Sequence, residues 1–204
     1  MRRAPLFASV ALALVPAASA AGPGALLPSV SGPSAASHRQ PEYGAVATNL
    51  SDGAAQAVDC WSRDDWARLT AGQGVQAGYK RVGFVDKGAA PGDVELSPEV
   101  CSQLDTLRYG RTRPRATLGL ANAVDVLAHE TFHTAGVSDE ATTECYAIQS
   151  VAWVARQLGA PWRYAHLLAE REWADYGDEP AGYTSPECRN GGKLDLRPAS
   201  HSWP

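Results

Sequence analysis

Three features are scarce or missing in this sequence, and each argues against a class of protein. No two of the four cysteines form a C-x-x-C pair, which argues against a zinc site built from cysteines. The 18 lysines and arginines are spread along the chain and are outnumbered by 22 acids, so there is no basic patch suited to nucleic acid. The main apolar run, near the N-terminus, is short and contains proline, and no later segment is long and apolar enough for a membrane span.

The N-terminal region predicts export. Two arginines precede a run of small and apolar residues that ends in an A-x-A cleavage site, so residues 1–20 are interpreted as a signal peptide and the protein as secreted and extracellular. Residues 21–56 are rich in Ala, Gly, Pro and Ser, which is typical of a disordered leader. The folded domain is therefore expected at 57–204.

All four cysteines, Cys60, Cys101, Cys145 and Cys188, lie in the exported part of the chain. An even number of cysteines in an oxidising compartment favours two disulfides. Three pairings are possible and the sequence does not choose among them. Pairing of neighbours along the chain, Cys60–Cys101 and Cys145–Cys188, is the arrangement we expect.

The folded part is predicted to be α+β. Short β-rich pieces at 79–86 and 93–96, separated by a turn signal, indicate a small sheet or hairpin. From about residue 116 the apolar spacing becomes helical, and Gly136 is placed where a helix ends. A second helix to about residue 158 returns beside the first, and a third follows after Pro161. The sequence thus predicts a sheet, a helical hairpin and a third helix, stapled by disulfides.

The first helix of this hairpin contains the sequence His129-Glu130-Thr131-Phe132-His133, an HExxH motif. Residues four apart on a helix share one face, so the two imidazoles can converge on one tetrahedral ion. Glu130 points to a neighbouring side and can act as a general base on water bound to the ion. The alternative is that these side chains form a solvated helix face and bind no metal.

A catalytic zinc ion needs a third protein ligand. Glu140 lies in the first turn of the returning helix, near the level of His133, and Glu144 lies one turn further on, near the level of His129. Either carboxylate can complete the site, and the spacing alone does not decide between them.

HExxH followed by a Glu-x-x-x-acid pair resembles the gluzincin branch of zinc metallopeptidases, and the segment 140–147 (EATTECYA) is similar to the corresponding helix of small secreted bacterial members. The resemblance implies a minimal zincin fold in which His129, His133 and Glu140 bind Zn2+ and Glu144 orients a zinc-bound histidine. It departs from the larger members in its gap of six residues between His133 and Glu140 and in having glutamate as the second acid. The short gap leaves Glu144 as the alternative ligand.

Four further residues are candidates for a role at the site. Asp125, one turn before His129, can accept the outer imidazole proton or be an exposed helix acid. Tyr183 is a candidate donor to the oxyanion that develops on a substrate carbonyl, because a disulfide of Cys188 can hold its loop near the site. Tyr146 and His166 are candidates for the same role.

The sequence and the resemblance together predict a secreted zinc metallopeptidase, a hydrolase acting on a peptide or protein substrate, with no nucleic-acid partner. The alternative is an inactive metal-binding or surface-interaction module of the same fold. The sequence does not predict the oligomeric state.

Overall fold

A computed structural model of the chain describes residues 38–71, 82–85, 92–110, 115–200 and 202–204. The expected signal peptide, and residues 21–37 of the expected leader, lie outside these ranges. Four strands and six helices are described, together with a one-turn 3-10 helix at Tyr176–Asp178. The strands are β1 His38–Arg39, β2 Ala57–Cys60, β3 Gly83–Val85 and β4 Asp93–Leu96. The helices are α1 Pro41–Leu50, α2 Arg63–Ala71, α3 Pro98–Tyr109, α4 Leu118–Thr134, α5 Glu140–Gln157 and α6 Trp162–Asp175.

The strands form one small mixed sheet in the order β1-β2-β4-β3. β2 and β4 are parallel, with Val58 opposite Val94, and both of these residues are fully buried. β3 pairs antiparallel with β4 and is the outermost strand on that side among the described residues. The α+β class and the order of sheet, helical hairpin and third helix are therefore confirmed. The sheet is larger than the predicted hairpin because β1 and β2 also belong to it.

The predicted disordered leader is wrong for residues 38–56. This stretch forms β1 and α1, and α1 packs Tyr43, Val46 and Ala47 into the core with exposures of 0–5%. The Tyr43 hydroxyl donates a hydrogen bond to Asp105 Oδ1 at 2.5 Å, which ties α1 to α3. The apolar residues at 43, 46, 47 and 50 have helical spacing, a signal hidden by the high content of small residues around them.

The helical hairpin forms as predicted, and its turn has a clear local cause. Gly136 has φ +91°, and the amides of Gly136 and Val137 donate to the carbonyls of His133 and Phe132, which is a Schellman motif. Asp139 then caps α5 by accepting a hydrogen bond from the amide of Thr142. The two caps set where α4 stops and α5 starts, and so set how far Glu140 lies from the end of the HExxH helix.

Both expected disulfides are present. Cys60–Cys101 joins β2 to α3, and Cys145–Cys188 joins α5 to the segment after α6. The second disulfide holds the loop that contains Tyr183 against the helix that contains the two site glutamates. Among the described helices, none combines the length and apolar character needed to cross a bilayer.

Candidate metal centre

The HExxH helix brings its two histidines together as the helical spacing requires. His129 and His133 lie on one face of α4, with ring centroids 4.7 Å apart and ring planes nearly perpendicular. His129 is 8% exposed, because α5 covers this face of α4. The pair therefore lies at the interface of the hairpin, and the alternative of a solvated helix face does not apply to it.

Glu140 completes a three-residue group. Its Oε2 atom lies 3.1 Å from Nε2 of His129 and 3.3 Å from Nε2 of His133. In a tetrahedral site with bonds of about 2.0–2.1 Å, neighbouring ligand atoms are roughly 3.3 Å apart, so these separations match the edges of such a site. Within the described part of the chain this is the one group of three such side chains whose ligand atoms all lie within 4.8 Å of one another. The group can hold a metal ion.

The Nδ1 atoms of the two histidines have partners of their own, separate from the Glu140 carboxylate. His129 Nδ1 lies 2.8 Å from Glu144 Oε2, and His133 Nδ1 lies 2.7 Å from the carbonyl oxygen of Val137. An imidazole that donates its Nδ1–H in this way has its Nε2 lone pair available as a metal ligand. Glu144 therefore orients the His129 ring through Nδ1, and Glu140 is the carboxylate that faces both histidines.

The charge around His129 favours a bound cation. Burial alone lowers the pKa of His129, but the hydrogen bond to Glu144 and the negative charges of Glu130, Glu144 and Glu140 outweigh it, so the pKa is raised. The same carboxylates that favour a proton on the imidazole favour a metal ion at the same place. Protons and metal are thus expected to compete for this site.

Glu130, the central acid of the motif, lies against strand β3. It is 9% exposed, and a Cβ atom added to Gly83 would come within 2.8 Å of its Cγ and Oε1 atoms. Only glycine lets the strand backbone approach this side chain so closely. Gly83 was not singled out from the sequence, and an isolated glycine inside a strand pattern is the signal that could have found it.

Tyr183 also reaches the site. Its ring stacks on His129 with centroids 5.8 Å apart and planes 22° from parallel. Burial and the nearby charges of Glu140, Glu130 and Glu144 raise the pKa of the Tyr183 hydroxyl, which keeps it protonated as a donor. Of the other two oxyanion candidates, Tyr146 packs on Phe132 and His166 packs on Trp162.

Asp125 differs from both expectations. It is 3% exposed, so the alternative of an exposed helix acid is wrong. The outer imidazole nitrogen of His129, Nδ1, has Glu144 and not Asp125 as its hydrogen-bond partner. Burial and the charge of Glu144 raise the pKa of Asp125 well above its usual range.

Two acids near Glu144 were missed in the sequence. Burial raises the pKa of Glu172 to about 8, even though the hydrogen bond from Asn122 lowers it. Burial and the charge of Glu144 raise the pKa of the half-buried Glu179 to about 7. A signal for Glu172 was present, because it continues the buried stripe of α6 that contains Ala165, Leu168 and Ala169.

Comparisons with protein-family models, with curated proteins and with solved structures found no match to this chain.

Proposed function

We propose that this chain is a secreted zinc-dependent metallopeptidase of gluzincin-like organisation, with His129, His133 and Glu140 as the zinc ligands. The observation that carries the proposal is the position of Glu140 Oε2, 3.1 and 3.3 Å from the two Nε2 atoms. Two neutral imidazoles and one carboxylate are a donor set that zinc uses in catalytic sites, where a fourth position stays open. Bound there, zinc would act as a Lewis acid that lowers the pKa of a bound water and polarises a carbonyl.

Glu130 supplies the general base. A site that binds metal only for structure has no need of an acid between its histidines, whereas hydrolysis needs a group that takes a proton from water and gives it to the leaving amine. Glu130 follows His129 directly on α4, and its side chain lies against Gly83 of β3. The contact with Gly83 restricts rotation of the Glu130 side chain and so favours a fixed orientation of its carboxylate.

Tyr183 is the proposed donor to the substrate oxyanion. Its ring lies on His129, and its side chain is close enough for Glu140 and Glu130 to raise its pKa. A protonated phenol beside the ligands can donate to an oxygen that becomes negative as the carbonyl is attacked. The loop that carries it is anchored by Cys145–Cys188.

The experiment has two readouts, metal content and peptide hydrolysis. We expect the purified protein to bind one equivalent of zinc and to cleave a broad peptide library, with activity lost to a chelator and recovered with zinc. Glu130→Gln should retain zinc and lose hydrolysis by at least a factor of 100, as expected for a general base. Glu170→Gln, a change of an exposed glutamate on α6, is the matched control and should behave like the wild type.

Equal hydrolysis by the wild type and Glu130→Gln would show that the catalytic proposal is wrong. Zinc binding without hydrolysis in any variant would favour the inactive metal-binding module. Absence of zinc binding would leave only a surface-interaction protein.

A further inference from the structure

The two histidines of the site have outer partners of different kinds. Nδ1 of His129 lies 2.8 Å from the Glu144 carboxylate on α5, whereas Nδ1 of His133 lies 2.7 Å from the backbone carbonyl oxygen of Val137. Val137 belongs to the turn between α4 and α5, four residues after His133. The second histidine is therefore contacted by the same turn that ends its own helix.

The contact with Val137 fixes the direction of the His133 ring. A carbonyl oxygen only accepts hydrogen bonds, so Nδ1 is the donor, and 2.7 Å lies at the short end of the usual range for such a bond. Nε2 of the same ring lies 3.3 Å from Glu140 Oε2. Because the imidazole ring is rigid and planar, a partner at Nδ1 also determines where Nε2 points.

The turn itself depends on Gly136. Its φ is +91°, and the amides of Gly136 and Val137 each donate at 3.1 Å to the carbonyls of His133 and Phe132. Glycine adopts this conformation without strain, whereas a β-branched residue strongly disfavours it. A Cβ atom added at Gly136 would meet no atom within 4 Å. The backbone conformation, and not a lack of space, is therefore what requires glycine here.

The end of α5 repeats this arrangement with a different side chain. Gly159 has φ +89°, and the amides of Gly159 and Ala160 donate to the carbonyls of Arg156 and Ala155 at 3.0 and 2.9 Å. Nη1 of Arg156 donates to the Ala160 carbonyl at 3.0 Å, which is the contact that His133 makes at the end of α4. Arginine can only donate, so a turn of this type presents an acceptor to the side chain at this position.

We propose that the Gly136 turn positions His133 for metal binding. Gly136 holds the Val137 carbonyl oxygen where it accepts the Nδ1–H of His133, and this hydrogen bond directs Nε2 towards the ion. Gly136 and Val137 are then positioning residues, and the turn does for His133 what the Glu144 side chain does for His129. The inference rests on the metal-binding part of the proposed function and does not require peptide hydrolysis.

The first test makes the same substitution in the two equivalent turns. Gly136→Val and Gly159→Val both place a β-branched residue at a positive φ, but only the first turn contacts a proposed ligand. Zinc affinity is measured by competition with a chromogenic chelator. We expect Gly136→Val to bind zinc about 10–100-fold more weakly, the usual effect of losing an outer partner of a metal ligand, and Gly159→Val to bind within about threefold of the wild type.

Gly136→Asn should recover most of the affinity lost in Gly136→Val, because asparagine tolerates the left-handed conformation. An equal loss of affinity in Gly136→Val and Gly159→Val would overturn the specific role of the first turn. Unchanged affinity in a folded Gly136→Val would overturn it as well.

The second test separates the hydrogen bond from the placing of Glu140, which the same turn also affects. Replacement of Ser138 by its α-hydroxy analogue converts the Val137 carbonyl into an ester carbonyl, a weaker acceptor, and leaves every side chain in place. Among the described residues the Ser138 amide donates no hydrogen bond, so its removal breaks no other contact. Zinc affinity should fall by about three- to tenfold, and unchanged affinity would overturn the proposal.

Metal-free protein gives a readout that does not depend on zinc. The Nδ1–H resonance of His133 in the proton NMR spectrum should be protected from solvent exchange in the wild type and in Gly159→Val, and should exchange faster in the Ser138 ester variant. Equal exchange in the wild type and the ester variant would refute this inference alone. A wild type that protects this proton but binds no zinc would refute the proposed function and leave the contact between the turn and His133 standing.

Discussion

Glu172 gives the most direct test of the electrostatics of this fold. Its side chain is 2% exposed on α6, and burial raises its pKa from 4.5 to about 8. Because the folded state holds this proton more tightly than the unfolded state, Glu172 contributes stability that is fully present below pH 4.5 and is lost as the pH rises towards 8. We predict that Glu172→Gln, which carries no titrating group, removes most of this dependence.

The magnitude follows from the two pKa values. Between pH 5 and pH 7 the unfolded glutamate is largely ionised while the folded one is still protonated. The free energy of unfolding therefore falls by about 1.4 kcal/mol for each pH unit. The free energy of unfolding of the wild type should therefore fall by about 2–3 kcal/mol over this range through Glu172. The buried Asp125 adds a contribution of the same sign, so some dependence should remain in the variant.

The assay is urea denaturation of metal-free protein with both disulfides intact, at pH 5, 6 and 7. Glu172→Gln should gain about 2–3 kcal/mol relative to the wild type between pH 5 and pH 7. The matched control is Glu170→Gln, two residues away on the same helix and exposed, whose curve should run parallel to that of the wild type. If Glu172→Gln and the wild type have the same pH dependence, Glu172 is ionised in the folded protein and our account of the buried acids is wrong.

Three further predictions concern the site and the fold. Glu140→Gln should weaken zinc binding by a factor of at least 10, measured by calorimetric titration, because it replaces a charged ligand oxygen with a neutral one; unchanged affinity would point to Glu144 as the ligand. Replacement of Cys145 and Cys188 by serine should lower the free energy of unfolding by about 4 kcal/mol, because the disulfide closes a loop with a sequence separation of 43 and so restricts the unfolded chain. An unchanged urea midpoint would contradict this expectation. Gly83→Ala should reduce hydrolysis and leave zinc affinity within about threefold, because the added Cβ meets Glu130 at 2.8 Å and not the ligands; a parallel loss of both would indicate a wider disturbance.

Two elements near the N-terminal end of the described chain, α1 and β2, are not predicted from the sequence because local composition obscures their apolar patterns. The composition of residues 38–56, dominated by small residues, predicts a disordered leader, yet Tyr43, Val46 and Ala47 form a buried helix face. β2, at Ala57–Cys60, was missed because a fully buried strand of four residues shows no alternation of polar and apolar side chains. These elements are stabilised by partners far along the chain, such as β4 and Asp105, which local propensity does not report.

The helical hairpin, its turn at Gly136 and the placing of His129 and His133 on one face of α4 are all predictable from local sequence, since helical periodicity and capping act over a few residues. Three features of the site come from packing between distant segments: Glu140 faces both histidines while Glu144 lies on the far side of His129, Tyr183 stacks on His129, and Asp125 is buried. The reason is that these outcomes depend on how two helices and a disulfide-anchored loop approach one another. Spacing along the chain specifies a face of a helix, but it does not specify what that face meets.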